Sequence, residues 1–159
     1  DFHSLSTPSN APRLRSRSLA GDARLLAAFP RYRTYPGCAK PVQHQMASIA
    51  AWQDEAHVRA NRDLYREKFD AVIGILSPVL EVQRPQASFY LWVKTPGSDE
   101  DFARGLFEQQ HVTVLPGSYL SREIDGLNPG RGHVRMALVA TPDECIEAAR
   151  RIRAYAETL

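Results

Sequence analysis

The chain has 159 residues, 43% hydrophobic and 24% charged, with a formal net charge of +2. That composition is globular and supplies enough length for one core and part of a second. A charge this small gives no ground for nucleic-acid binding. No apolar run approaches the ~20 residues of a membrane span, and the polar, Pro-rich start is unlike a secretory leader. Cys38 and Cys145 stand in no metal or redox spacing, so a reduced cytoplasmic protein is expected. The sequence begins without Met and reads as a piece or a processed form of a longer chain.

Residues 1–20 (DFHSLSTPSNAPRLRSRSLA) show no periodicity. Asp22 can cap a short helix through Leu25, Leu26 and Phe29, with Pro30 as its stop. Residues 31–41 are an aromatic loop with Gly and Pro. From Val42 the pattern turns helical through Met46, Ile49, Ala50 and Trp52, and Asp54–Glu55 mark a second start. Val58, Leu64, Tyr65, Phe69, Val72, Ile73 and Leu76 then recur at three- and four-residue spacing, predicting a long amphipathic helix that ends near Pro78.

Beyond residue 80 the character changes. Ser88–Lys94 (SFYLWVK) predicts a strand. Ser98 and the acids Asp99, Glu100 and Asp101 predict a helix start, with Phe102, Leu106 and Phe107 on its buried face. Val112–Leu115 predicts a second strand, closed by Pro116-Gly117, and Val134–Val139 a third. Thr141-Pro142-Asp143-Glu144 has the residues of a capping box with Pro at the first helical position. The second half therefore predicts a helix–β–α–β–β–α sandwich of the α/β class. The first half predicts loop and helix with no strand, one edge of something larger.

The candidates for chemistry are few. His3, His44, His57, His111 and His133 form no H-x-x-x-H pair and no metal site is expected. Pro116-Gly117-Ser118 lacks the flanking glycine of a nucleophile elbow. Asp99, Glu100 and Asp101 fit a first helical turn, and Arg150, Arg151 and Arg153 a solvated helix face. Arg15 lies in a loop with Ser4 and Ser6 upstream; hydroxyls and a guanidinium fork suit a phosphate dianion, the alternative being an exposed loop arginine. Arg135 sits inside the apolar strand HVRMALV, where a charge must pair or face a cavity; the alternative is an edge-strand arginine.

The stretches FHSLS, LRS and AGD, the helix SIAAWQDEAHVRANRDLYREKFDAV, and FYLWV, VTVLPGSYL and NPGRGHVRMALVA together resemble the carboxy-terminal part of the class I/II, fold-type I, pyridoxal-phosphate-dependent aminotransferases. The subgroup most resembled is the bacterial N-succinyldiaminopimelate aminotransferases of lysine biosynthesis. The resemblance implies that residues 1–55 are the edge of the large cofactor-binding domain. It implies that residues 56–159 are the linking helix and the small domain. It gives Arg15 and Ser4 to the cofactor phosphate and Arg135 to the substrate α-carboxylate. It puts the loop around Tyr35–Lys40 near a dimer partner. The implied reaction exchanges an amino group between N-succinyl-diaminopimelate and 2-oxoglutarate in a homodimer, with no nucleic acid or membrane involved.

The departures from the family pattern are local. Thr7 stands where the family has the lysine that forms the imine and moves the α-proton; threonine offers neither an amine nor a base at neutral pH. Arg13 and Arg17 replace two glycines that let backbone approach the phosphate. The remaining cofactor contacts of the family lie upstream of this segment. This chain alone is therefore expected neither to hold pyridoxal phosphate tightly nor to transaminate. Two other readings stand beside this one: a non-catalytic remnant that binds a protein partner, and a small RNA-binding module using Phe89, Tyr90 and Trp92 with the RLRSRS arm.

Overall fold

A computed structural model of the chain describes residues 2–6, 8–37 and 39–159. The chain divides into two compact units, Asp1–Asp63 and Leu64–Leu159. No helix among the described residues is long and apolar enough to cross a membrane.

The first unit opens with a two-stranded antiparallel ladder, β1 (Phe2–Ser4) and β2 (Arg17–Leu19), in which Ser4 stands opposite Arg17. The expectation that this half has no strand is thus corrected. Three-residue strands are too short to show a period of two, so only the ladder reveals them. Between them a 3-10 turn over Pro12–Leu14 ends on Arg15 in the left-handed conformation, φ +48°. Helix α1 (Ala23–Arg33) starts on Asp22, whose carboxylate accepts the Arg24 N–H at 2.8 Å. It runs through Pro30 rather than stopping there. Proline removes a single N–H, and the turn that follows is secured by Thr34, whose N–H and Oγ1 both donate to the Pro30 carbonyl. Helix α2 (Val42–Gln53) follows, and Asp54 caps the start of α3 (Ala56–Leu76) through the Ala56 N–H.

The buried side chains of this unit include Leu5, Val58, Ser16 and Ser48. Leu25, Tyr32, Val42, Met46 and Ile49 are exposed. The helical period of α1 and α2 is as expected, but their apolar residues have no cover within the unit, an arrangement that ordinarily marks a contact surface.

The second unit carries the main core. Strands β3 (Tyr90–Lys94), β4 (Leu115–Pro116) and β5 (His133–Ala137) form an antiparallel sheet in the order β3-β5-β4. Helices α4 (Asp99–Gln110) and α5 (Pro142–Ala156) complete it. Side chains alternate across the strands. Leu91, Val93, Val134 and Met136 join Phe69, Val72, Leu76, Phe102, Leu106, Ala149, Ile152 and Tyr155 in one buried cluster. Phe107, expected on the buried face of α4, is exposed; it follows Leu106 by 100° around the helix and falls outside the packed stripe. The strand expected over Val112–Leu115 is paired only at Leu115–Pro116. The Thr141 capping box forms as its residues predict, with Glu144 accepting the Thr141 N–H at 2.9 Å.

The end of the sheet is held by Asp99. Its carboxylate accepts the Ser118 N–H at 2.9 Å and the Gly132 N–H at 3.1 Å. Burial works against its charge, but the Ser118 hydroxyl together with these N–H donors outweighs that and holds the carboxyl below its ordinary value. Gly117 and Gly130 meet backbone to backbone there; a Cβ on Gly117 would strike the Gly130 and His133 carbonyl oxygens.

Candidate functional site

Two places bring together the residues singled out from the sequence, one in each unit. In the first unit, Ser4–Ser6 and Arg15–Arg17 are the facing arms of one hairpin, joined by Leu5 N–H donating to the Ser16 carbonyl at 3.1 Å. Ser4 and Ser6 hydroxyls lie 2.7 Å apart, and the Ser6 N–H also reaches Ser4 Oγ at 3.3 Å. Arg15 is exposed and holds a left-handed backbone, which costs an L-residue about 1–2 kcal/mol. It lines a hollow of about 330 Å³ together with Arg17, Phe29, Tyr32, Arg33, Pro36 and Gly37. Ser4 is not among the residues lining that hollow, so the structure brings Ser4 and Arg15 to one hairpin but not to one cavity. Thr7 lies outside the described residues, as does Cys38.

Lys40 received no role from its sequence position. Its Nζ donates to the buried Ser16 Oγ at 3.0 Å, which tethers the loop ahead of α2 to the hairpin. A second tether is a relay in which His57 Nδ1 lies 2.8 Å from Asp54 Oδ2 and His57 Nε2 lies 2.9 Å from Ser9 Oγ. The hydrogen bond from His57 is the main reason the Asp54 carboxyl titrates below its ordinary value. Neither tether was legible beforehand, since each joins residues far apart in the chain.

In the second unit, Arg135 lies on the central strand of the sheet rather than on an edge, and it stands opposite Trp92 on one side and Leu115 on the other. Tyr90, Trp92 and Lys94 of β3 share its face with His133 of β5. That face looks away from the buried cluster, and Trp92 and Leu115 on it are 37% and 40% exposed. The Arg135 guanidinium carbon stands 4.6 Å from the Tyr90 ring centroid and 5.5 Å from that of Phe89. These contacts fix the plane of the guanidinium without neutralising it. No carboxylate pairs with it among the described residues, and its Nε is buried without a hydrogen-bond partner. Buried polar atoms are normally satisfied, so the Arg135 Nε is a donor open to a polar ligand.

Beside Arg135, Trp92 stacks on His133 with centroids 5.7 Å apart. The two rings line a hollow of about 390 Å³ with Glu81, Arg84, Tyr90 and Lys94. Its charges are already paired, Lys94 with Glu81 at 3.1 Å and Arg84 with Asp70. Arg135 therefore remains the candidate for an anionic ligand on this face. The Trp92–His133 pair was missed because it depends on the register of β3 against β5.

Comparison with known proteins bears on both places. The family model "Aminotransferase class I and II" matches residues 2–152. The chain is 31% identical over 157 residues to the LL-diaminopimelate aminotransferase of Nitratidesulfovibrio vulgaris, covering 96% of this chain and 39% of that protein. Among solved structures, an aminotransferase from Neisseria meningitidis is 52% identical with a TM-score of 0.86, covering 96% of this chain and 39% of that one. A probable N-succinyldiaminopimelate aminotransferase from Thermus thermophilus is 30% identical with a TM-score of 0.80, covering 97% and 41%. The chain thus spans about two fifths of the length of the relatives it matches, and within that span the mixed helix and sheet fold is theirs. It belongs to the class I and II aminotransferases, a family that is in general pyridoxal-phosphate-dependent.

Proposed function

We propose that this chain is the carboxy-terminal part of an aminotransferase acting on N-succinyl-diaminopimelate and 2-oxoglutarate in lysine biosynthesis. In this reading residues 1–55 are the edge of the large domain and residues 56–159 the linking helix and small domain. The observation that carries the reading is Arg135: a guanidinium oriented by Tyr90 and Phe89, on the uncovered sheet face, with a buried Nε that no group of the described chain satisfies. A fork of parallel N–H donors matches a carboxylate, and both substrates carry an α-carboxylate or its 2-oxo equivalent. Similarity to an LL-diaminopimelate aminotransferase and to a probable N-succinyldiaminopimelate aminotransferase supports the substrate class.

The described residues suit one end of the cofactor only. The hydroxyl pair of Ser4 and Ser6 and the exposed guanidinium of Arg15 have the chemistry to bind a phosphate. When bound, pyridoxal phosphate would supply an aldehyde that condenses with amines and an electron-withdrawing ring. At the aldehyde end the sequence has Thr7, whose hydroxyl offers no amine. No step is therefore routed through the cofactor in this chain, and it is proposed to bind substrate carboxylate through Arg135 without transaminating. The partner of the whole protein is proposed to be a second copy, and its compartment the cytoplasm.

The test is a titration of the ¹⁵N-labelled chain with N-succinyl-LL-2,6-diaminopimelate, read at the Arg135 Nε–H resonance, alongside an assay for glutamate with pyridoxal phosphate and 2-oxoglutarate present. The Arg135 signal should move downfield, the shift should vanish in Arg135→Met, and no glutamate should form. An unmoved Arg135 signal at millimolar ligand would overturn its assignment; glutamate formation would overturn the assignment of Thr7 as disabling. Intact-mass measurement with sequencing across residues 1–20 of the native polypeptide completes the test, since a chain more than twice as long with lysine at position 7 would mean an ordinary aminotransferase.

A further inference from the structure

We infer that Arg17, which stands at a glycine position of the family's phosphate motif, and Arg33, which lies outside it, join Arg15 in a three-arginine site for a phosphate-bearing small molecule. The inference extends the assignment of Arg15 but stands on a separate observation. The three guanidinium-bearing residues line one hollow of about 330 Å³, walled by Phe29, Tyr32, Pro36 and Gly37. None of the three is paired with a carboxylate among the described residues, whereas Arg24, Arg84, Arg104, Arg151 and Arg153 all are. A hollow lined by a single sign of charge against apolar walls concentrates counter-ions of the opposite sign.

Each arginine is delivered by a different piece of backbone. Arg15 is set by the left-handed end of the 3-10 turn and Arg17 by the first position of β2. Arg33 comes from the last turn of α1, and its Nε passes close over Gly37, where a Cβ would stand 3.9 Å away. An arginine in a final helical turn is favourable for the helix dipole. That accounts for Arg33 being on α1, but not for its sharing a hollow with two further unpaired arginines. Arg17 stands where the family resemblance has a glycine, so the close backbone approach that glycine allows is exchanged for a guanidinium fork. Three guanidinium charges exceed the charge of one phosphate group, so the better fit is a more highly charged phosphate such as a pyrophosphate. The Tyr32 and Phe29 rings form the apolar wall.

Isothermal titration of the full chain with inorganic pyrophosphate and with inorganic phosphate, at low ionic strength, tests this. The variants are Arg15→Gln, Arg17→Gln and Arg33→Gln. Arg13→Gln is the control, because it makes the same change of charge at an exposed residue outside the hollow. Circular dichroism confirms folding of each, and Arg33→Lys separates charge from fork geometry. The expected result is pyrophosphate binding tighter than phosphate, weakened roughly tenfold by Arg17→Gln or Arg33→Gln, as loss of a charge-assisted hydrogen bond implies. Arg13→Gln should weaken it less than about twofold, by screened long-range charge alone. Equal losses in Arg13→Gln and Arg33→Gln would reduce the effect to net charge and overturn the site. A loss confined to Arg15→Gln would overturn the inference and leave the assignment of Arg15 standing. Losses in Arg17→Gln and Arg33→Gln without one in Arg15→Gln would overturn both the three-arginine site and the assignment of Arg15. No binding to the folded wild-type chain would overturn both.

Discussion

Replacing Asp99 by Asn removes one charge from the joint that sets the end of the β3-β5-β4 sheet. The carboxylate is 2% exposed and accepts two backbone N–H groups, from Ser118 and Gly132. An amide has one acceptor oxygen, so one of those N–H groups must face an NH₂. The orphaned N–H costs about 1–3 kcal/mol, and the surviving bond, no longer charge-assisted, loses about 1 kcal/mol. The first turn of α4 also loses a favourable dipole contact worth about 0.5 kcal/mol. The expected loss at neutral pH is about 3 kcal/mol, and for a unit of this size that lowers the melting temperature by about 12 °C or more. The sign of the pH dependence follows from the carboxyl titrating below its ordinary 3.8. The unfolded chain binds the proton more readily, so the stabilisation is fully present above about pH 4 and is lost as pH falls through the folded-state value. Urea unfolding followed by Trp fluorescence and far-ultraviolet circular dichroism, from pH 7 down to pH 3, measures both effects. The two proteins should differ most at neutral pH and converge in acid. The other carboxylates held below their ordinary values, Asp22, Asp54 and Glu144, are present in both proteins and cancel in the difference. Curves that stay parallel across this range, or a neutral-pH difference under about 0.5 kcal/mol, would refute the argument that Asp99 is ionised and doubly bonded in the fold.

Two further substitutions probe the same end of the sheet. Gly117→Ala should cost at least about 2 kcal/mol by chemical denaturation, because its Cβ meets the backbone carbonyls of Gly130 and His133 as well as the Trp92 ring; a neutral result would mean that the two loops separate at little cost. Arg135→Met should leave the melting temperature unchanged or raise it. It removes an orphaned buried Nε worth about 1–3 kcal/mol and forfeits ring contacts worth about 0.5–1 kcal/mol. A clear drop would make Arg135 a structural residue.

Legibility differed by the range over which each feature is decided. The Thr141 capping box, the Asp22 cap and the long stripe of α3 depend on residues within a turn or two of one another, and the sequence pattern alone predicts them. The β1–β2 ladder joins residues fifteen or so positions apart over three pairs, too few for alternation to emerge from composition. Pro30 was misread because a helix stop was inferred from the missing N–H, while the turn after it draws its hydrogen bonds from Thr34. Phe107 and the exposed apolar residues of α1 and α2 show a different limit: periodicity identifies a helix but not what covers each of its faces. The Lys40–Ser16 and His57–Ser9 contacts required the tertiary fold itself.

Arg135 shows how a local anomaly and a non-local arrangement combine. A charge inside HVRMALV is conspicuous in the sequence, since burying it unpaired is prohibitive. What the sequence could not decide was whether the strand was an edge, where the charge would simply be solvated. The order β3-β5-β4 makes it central, and the strand alternation turns it to the face opposite the core. Its neighbours then fix its plane without cancelling its charge. A residue selected for folding alone would have been paired with a carboxylate or replaced by an aliphatic side chain, and neither has happened. In the proposed function that unpaired charge is the cost of a donor held ready for the substrate carboxylate. The same reasoning applies to Arg15 in its left-handed turn, where a glycine would be more comfortable. Both costs fall on residues with guanidinium forks that no carboxylate of the described chain pairs.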